Sequence, residues 1–381
     1  MLDIYNRAER KKVAVLENAY NIKENTVLNA ISTLNFSLPA SDPKITYCEP
    51  FSFLRIHGES ALYRLIITGA TRGTEKDRLD YEAEHVLSTL LDTAIPRTIQ
   101  YDNLPTRKVL ENLLDRQAVK NWRLGDCEFD RRFSYSWSGE TLAAALFSVP
   151  KCFDEKYKWE YDTETYPWTI HLRKLDESKI PEYYIREGKN LLAMEENADS
   201  TTLCTRLWCY GFGEGINQLT FAKINGGKEY IDADPAAIQK YGLIERVWTD
   251  QRFEVAENLL ARGKTLLSSL SKPKASYVVS VADIEKMTHD ELDTPRVGKI
   301  VRYKDLQTYI LEVTRYIDKD GTDELIISNE PQDTAGTIAA MAERQHINEV
   351  YAQGNTFLYP VNFADNADPT HPPHHHTTPQ P

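Results

Sequence analysis

Several short runs in this chain carry the residue types that chemistry uses. Gly263-Lys264-Thr265 has the Gly, Lys and hydroxyl that close a phosphate-binding loop, but Asn258 stands where that loop needs its first glycine. The triplet also falls inside an apolar stripe of helical period, whereas the loop must follow a strand. Gly211-Phe212-Gly213-Glu214-Gly215 has the glycine density of a dinucleotide fingerprint. A true fingerprint opens a helix, so that N-terminal N–H groups meet the pyrophosphate. Here Leu219-Thr220-Phe221 follows and predicts a strand, so a glycine-rich hairpin or bulge is expected. Asp318, Asp320, Asp323 and Glu324 suggest a calcium loop, yet Gly321 comes at its fourth position where the sixth is needed, and a solvated turn is expected.

Hydrolytic chemistry finds no better footing. The chain has neither HExxH nor GxSxG. His57 ends a strand-like run and His171 sits on the polar face of another, so both are expected as surface or packing histidines. His371, His374, His375 and His376 lie in a Pro-rich tail, which can chelate a metal but holds no fixed geometry. No catalytic, cofactor-binding or metal-binding residue is assigned, and no cofactor.

Composition narrows the class. With 41% hydrophobic and 27% charged residues over 381 positions, the chain reads as globular, long enough for several cores. A formal net charge of −12 argues against gripping DNA or RNA, which takes clustered Lys and Arg. The five cysteines are odd in number, scattered and without a CxxC, the usage of a reducing compartment with thiols as small core residues. Cys204 and Cys209, five apart in a predicted strand, should point to opposite faces. No apolar stretch is long enough to span a bilayer, and MLDIYNRAERKK lacks the apolar heart of a secretory signal.

The elements follow from periodicity. Leu34 to Leu38 alternates and stops at Pro39; Phe51–His57 and Leu62–Thr68 are strand-like runs about a tight turn at Gly58-Glu59. Helical spacing appears at Val86, Leu87, Leu90 and Leu91, and again at Val109, Leu110, Leu113 and Leu114 after Pro105. Phe133, Tyr135 and Trp137 alternate, Glu140–Phe147 predicts a short helix, and two more alternating runs centre on Trp159 and Ile170. Leu259 to Leu270 forms an apolar helical stripe ended by Pro273, and Tyr277, Val279 and Val281 alternate directly after it. Thr308–Ile317 and Leu325–Ser328 flank a turn and predict a hairpin. A last helix is predicted over Thr337–Tyr351, before a Pro- and His-rich end expected to be disordered.

The segment from Ile185 to Tyr277 carries a family resemblance. Its marks are Gly188-Lys189-Asn190, Thr205-Arg206-Leu207, Gly213-Glu214-Gly215 leading to Asn217-Gln218-Leu219-Thr220, Asn225-Gly226-Gly227, Lys240-Tyr241-Gly242, the strand end Trp248–Arg252, the leucine helix, and Pro273 before Ser276-Tyr277. Together they resemble the tail-tip hub family of long-tailed bacteriophages and prophages, whose members are labelled minor structural protein, tail-associated lysin or prophage tail endopeptidase. The run Ala364 to Pro372 is similar to the point where longer relatives pass into a shaft or spike.

The resemblance implies an α+β, β-rich multidomain hub. A first barrel-like tube domain is expected over 1–95, an α+β insertion over 96–188, and a second barrel-like tube domain over 189–235 and 274–335. A helical insertion would fill 236–273, a C-terminal helix and extension 336–362, and a disordered tail 363–381. It further implies a homotrimer in the virion tail tip, docked on a ring of distal tail protein. The C-terminus of the tape measure protein and a spike or fibre are possible further partners, with the host cell wall met indirectly and DNA only in passage. The hydrolase domain of longer relatives is expected to be absent, so the chain is expected not to be an enzyme. Two other readings compete: a wall-degrading peptidase or glycosidase, and a saccharide-binding tip module using Trp122, Trp137, Trp159 and Trp168.

Overall fold

Short alternating runs, with turn residues between them, shape the first part of the chain. In this computed structural model they give β1 (Leu2–Tyr5), β2 (Lys12–Leu16), β3 (Tyr20–Val27), β4 (Thr33–Pro39), β5 (Phe53–Ile56), β6 (Leu62–Thr71) and β7 (Arg78–His85). The structure describes residues 1–8, 10–71, 77–153, 155–176, 179–282, 294–318 and 322–328. The strands lie in the order β3-β4-β7-β6-β5-β1-β2, every neighbouring pair antiparallel. The alternation at Leu34, Phe36 and Leu38 buries all three against Leu2, Ile4 and Tyr63. Gly58, at φ +88°, allows the reversal between β5 and β6 that its position predicts.

The middle of the chain is mixed. It contains β8 (Ala94–Ile95), β9 (Ile99–Pro105), β10 (Trp122–Cys127), β11 (Arg132–Trp137), β12 (Glu140–Thr141), β13 (Tyr157–Asp162) and β14 (Trp168–Lys174). Helix α1 (Thr106–Leu114) starts at Pro105 and buries Val109, Leu110, Leu113 and Leu114, the predicted stripe. Helix α2 (Leu142–Ser148) is capped by Thr141, whose hydroxyl accepts from the Ala144 N–H at 3.2 Å. The spacing at Val86–Leu91 becomes a 3-10 helix over Val86–Asp92 rather than an α-helix.

The remainder holds β15 (Tyr183–Tyr184), β16 (Leu191–Asp199), β17 (Arg206–Tyr210), β18 (Tyr230–Asp232), β19 (Glu245–Thr249), β20 (Lys274–Ala282), β21 (Ile300–Tyr303), β22 (Leu306–Tyr316) and β23 (Thr322–Ser328), with α3 (Pro235–Tyr241) and α4 (Ala256–Leu270). β22 and β23 form the predicted hairpin pairing, Val313 opposite Leu325. β17, β18 and β19 make a separate sheet backed by α4, and its core joins that of the middle segment through Phe253 and Phe133, 5.5 Å apart.

Among the described residues the strands close no barrel. β16-β20-β23-β22 continues through β3 into β4-β7-β6-β5-β1-β2, one open 13-stranded sheet that includes β15 and β21 at its side. The reason is the β3–β22 ladder: each β-rich part gives an edge to the other, so neither part curls back onto itself. Leu219-Thr220-Phe221 is not a strand either. Leu219 exchanges backbone bonds with Gly211 and Phe212, at 2.8 and 2.7 Å, and so folds the run back as a clasped loop. All described residues belong to one compact unit, Met1–Ala335. The predicted helix over Thr337–Tyr351 and the Pro- and His-rich end lie outside the described residues.

Candidate functional site

The β3–β22 junction concentrates buried charge. Arg315 stands opposite Glu24 in the ladder, and its Nε donates to Glu24 Oε2 at 2.8 Å while Nη2 donates to Glu59 Oε2 at 2.7 Å. Tyr63 donates its hydroxyl to the other Glu24 oxygen. The Glu24 side chain is 3% exposed and that of Arg315 is 23% exposed. Burial works against the guanidinium charge, but Glu24 and Glu59 outweigh it and push the Arg315 pKa above its ordinary value. Burial, and then the Glu24 carboxylate, push the Tyr63 phenol well above its usual range. Two further polar ties close the junction: Asn25 donates to Glu312 at 2.7 Å, and the Asp318 carboxylate accepts from the Asn21 and Ile22 N–H groups at 2.5 and 2.9 Å.

A cleft of about 770 Å³ opens beside this cluster, lined among others by His85, Lys158, Trp159 and Tyr161. His85 escaped notice in the sequence, where it simply ends an alternating strand. Its Nδ1 accepts from the Leu87 N–H at 3.3 Å, and its ring sits 5.9 Å from Tyr63 and 5.3 Å from Tyr161. Burial alone depresses its pKa to about 4, so the ring is neutral near pH 7. That nitrogen is committed to the backbone, and the neighbouring Glu24, Glu59 and Arg315 are committed to one another. The cluster is built to hold strands together, with no base aimed at a nucleophile.

The other motif residues serve packing. Gly263 lies inside α4 with Cys209 Sγ and Ile231 Cδ1 close by, where a β-carbon would come within 2.9 Å of each, so Gly263-Lys264-Thr265 is helix and not loop. The Gly211–Gly215 run is a loop fixed by Gln251, which exchanges bonds with the Gly213 backbone at 3.0 and 3.1 Å. Asp318 is exposed in a turn and accepts backbone bonds from β3, while Asp320 and Gly321 lie outside the described residues. His57 approaches Asp3 at 3.1 Å, and His171 Nδ1 accepts from the Asp126 N–H at 3.0 Å. Trp122, Trp137, Trp159 and Trp168 are at most 4% exposed, so no indole face is open to stack on a sugar. His371, His374, His375 and His376 lie outside the described residues. Among the described residues no group of three or more His, Cys, Asp or Glu is placed to hold a metal ion.

What the surface does offer is strand edge. Among the described residues β16 pairs with β20, apart from a bridge between Leu191 and Glu187, and β2 pairs with β1, so they end the large sheet. Every residue of β16 except Leu191 and Met194 is exposed.

Among the described residues the arrangement is an extended β-sheet with an ionic junction, mixed α/β additions and exposed edge strands. The comparisons point to tail proteins. Residues 179–336 match the family described as prophage endopeptidase tail. A prophage tail protein from Listeria monocytogenes shares the fold with a TM-score of 0.60 at 14% identity, over 90% of this chain and 98% of that one. The 43 kDa tail protein of prophage MuSo2 from Shewanella oneidensis gives 0.60 at 12% identity, with 88% and 98% covered. A tail protein from Neisseria meningitidis gives 0.59 at 10% identity, with 86% and 96% covered. At these identities the solved structures speak for the fold. No curated protein sequence matches the chain. The family match and the fold are those of prophage tail proteins, as the residues from Ile185 to Tyr277 suggest.

Proposed function

We infer that the chain is a structural hub of a phage-type tail tip, which closes the distal end of the tail tube and opens for DNA passage at infection. The observation that carries this reading is the fold held in common with prophage tail proteins over about nine-tenths of both chains. In this reading three copies form the tip in the virion, docked on the distal tail protein ring and meeting a spike or fibre below and the tape measure protein above. The β-rich parts at either end of the large sheet are the tube modules. Residues 96–188 and the β17–α4 region form one outer lobe, because they share a core. Any channel that forms should be lined by neutral or acidic groups, since a basic lining would hold passing phosphates.

Two measurements test this. Light scattering on the full chain should give the mass of three copies, and images of assembled tails should place them at the tip; a permanent monomer absent from tails would refute the reading. The printed family description favours one alternative, a cell-wall peptidase. Clearing of Gram-positive walls by the purified chain in a zymogram would support that alternative instead.

A further inference from the structure

We propose that the uncovered face of the β17–β18–β19 sheet takes an amphipathic helix of a partner protein, an inference that does not depend on the hub reading. β17 pairs antiparallel with β18 and parallel with β19, and α4 covers the face that holds Leu207 and Cys209. The alternate residues point the other way. Trp208 lies between Tyr230 and Val247 in the ladder, with Tyr210 two residues further along its strand. The described residues leave this face open: Val247 is 69% exposed and the three aromatic side chains are only half-buried. Parallel strands are ordinarily covered on both faces, and a sheet face left in water is ordinarily polar. This face is neither.

Its residues suit a protein contact. Trp, Tyr and Arg are the types that interfaces concentrate, and here they are already ordered. The Arg206 guanidinium lies 4.0 Å from the Tyr230 ring centre and donates to Asp232 at 2.6 Å and to Glu245 at 3.3 Å. The Trp208 and Tyr230 rings stand 4.9 Å apart. A surface held in place loses little freedom on docking. The same bonds argue against a saccharide. Arg206 is committed to two carboxylates and the Tyr210 hydroxyl donates to Glu229 at 3.3 Å, so the polar groups that a sugar would need are engaged. A second copy would bring another net charge of −12 to the contact, whereas a helix with a basic polar side would be attracted. Width favours a helix too. Three strands about 4.8 Å apart span roughly 10 Å between the outer two, close to the roughly 10–12 Å diameter of a helix with its side chains. Seated there, it would supply the layer that α4 supplies on the opposite face.

The test uses the full chain and, as probe, a labelled synthetic helical peptide of about 18 residues with Leu along one face and Lys elsewhere. Fluorescence anisotropy should show binding, and tryptophan emission should shift to the blue, a change that is lost in Trp208→Phe. Val247→Asp should weaken the peptide about ten-fold. Val119→Asp adds the same charge at another exposed valine and should leave binding as it was. Circular dichroism checks that each variant folds. Absence of binding, or equal binding by the two aspartate variants, would overturn the proposal. So would a blue shift on adding chitooligosaccharide that is lost in Trp208→Phe, or a fall in self-association with Val247→Asp, since the face would then belong to a sugar or to a second copy. The mass of the free chain and its place in tails test the hub reading separately.

Discussion

Acidification should loosen this protein before its carboxylates begin to titrate, because His85 must charge when it leaves the core. The His85 ring is buried, and its pKa is depressed from 6.5 to about 4 by burial. The sign follows from linkage. Between those two values the unfolded chain binds a proton that the folded chain does not, so stability is fully present above pH 6.5 and is lost as pH falls toward 4. A shift of that size corresponds to about 3 kcal/mol across the window, at 1.36 kcal/mol per unit. The carboxylates held low by ion pairs, such as Asp3, act with the same sign but at lower pH. Burial raises Asp3, and hydrogen bonds from Lys12 and His57 then carry it below its ordinary value. The upper part of the window therefore reports His85. The assay is urea unfolding followed by tyrosine and tryptophan fluorescence at pH 7.0, 6.0 and 5.0. The wild type is compared with His85→Asn, which can still accept from the Leu87 N–H. The wild type should lose about 1 kcal/mol for each unit below 6.5, and the variant should be nearly flat until the carboxylates titrate. Equal slopes in the two proteins would refute the reasoning.

Three further outcomes can be measured. Arg315→Met leaves the buried Glu24 without its cation and should cost about 3 kcal/mol in urea unfolding, with much of that loss recovered when Glu24→Gln is added; a cost below about 1 kcal/mol would show that the cluster is solvated. Gly263→Ala would add about 1 kcal/mol of stability in an open helix. Here it should lower the melting temperature instead, because the new methyl would meet Cys209 Sγ and Ile231 Cδ1 at 2.9 Å. Burial pushes the Cys48 thiol up to about 11 and the Cys209 thiol up to about 12. Both should resist iodoacetamide at pH 8 in the folded protein and react promptly in urea, as mass spectrometry would read.

Local period was legible in the sequence wherever one face of an element is buried. The four apolar residues of α1 and the β22–β23 pairing stand where spacing puts them, because each is decided within some twenty residues of chain. Partnership between distant strands left no such trace. Spacing marks Thr308–Ile317 as a strand, but nothing in the sequence says that it meets β3, and Arg315 and Glu24 lie 291 positions apart. Two barrel-like domains were the expectation for two β-rich segments read separately; among the described residues one ladder runs their strands into a single sheet. His85 was hidden for another reason. A polar residue at the end of an alternating strand looks like a surface residue unless the next turn is known to fold over it, and here the 3-10 helix Val86–Asp92 does so. The tie from Asp318 to β3 was hidden too, since its two N–H donors come from the far end of the chain.

The ionic character of the β3–β22 ladder bears on assembly. Two parts of a sheet joined by apolar contact alone could shift by a residue or two at modest cost, because one aliphatic side chain resembles another. Arg315 removes that freedom. A slip of one residue would turn it to the opposite face of the sheet and strand Glu24 and Glu59 without a cation, a penalty of about 3–5 kcal/mol for a broken buried pair. The Asp318 carboxylate on the Asn21 and Ile22 N–H groups and the Asn25–Glu312 bond check the same register from independent positions. β2 and β16 sit at opposite ends of the sheet that this ladder joins, so the register of the ladder sets the angle between the two free edges. In the hub reading, a ring of copies closes only if that angle is the same in every copy. Replacing the cluster with well-packed apolar residues should therefore preserve folding and widen the distribution of assemblies, a separation that a purely stabilising ion pair would not produce.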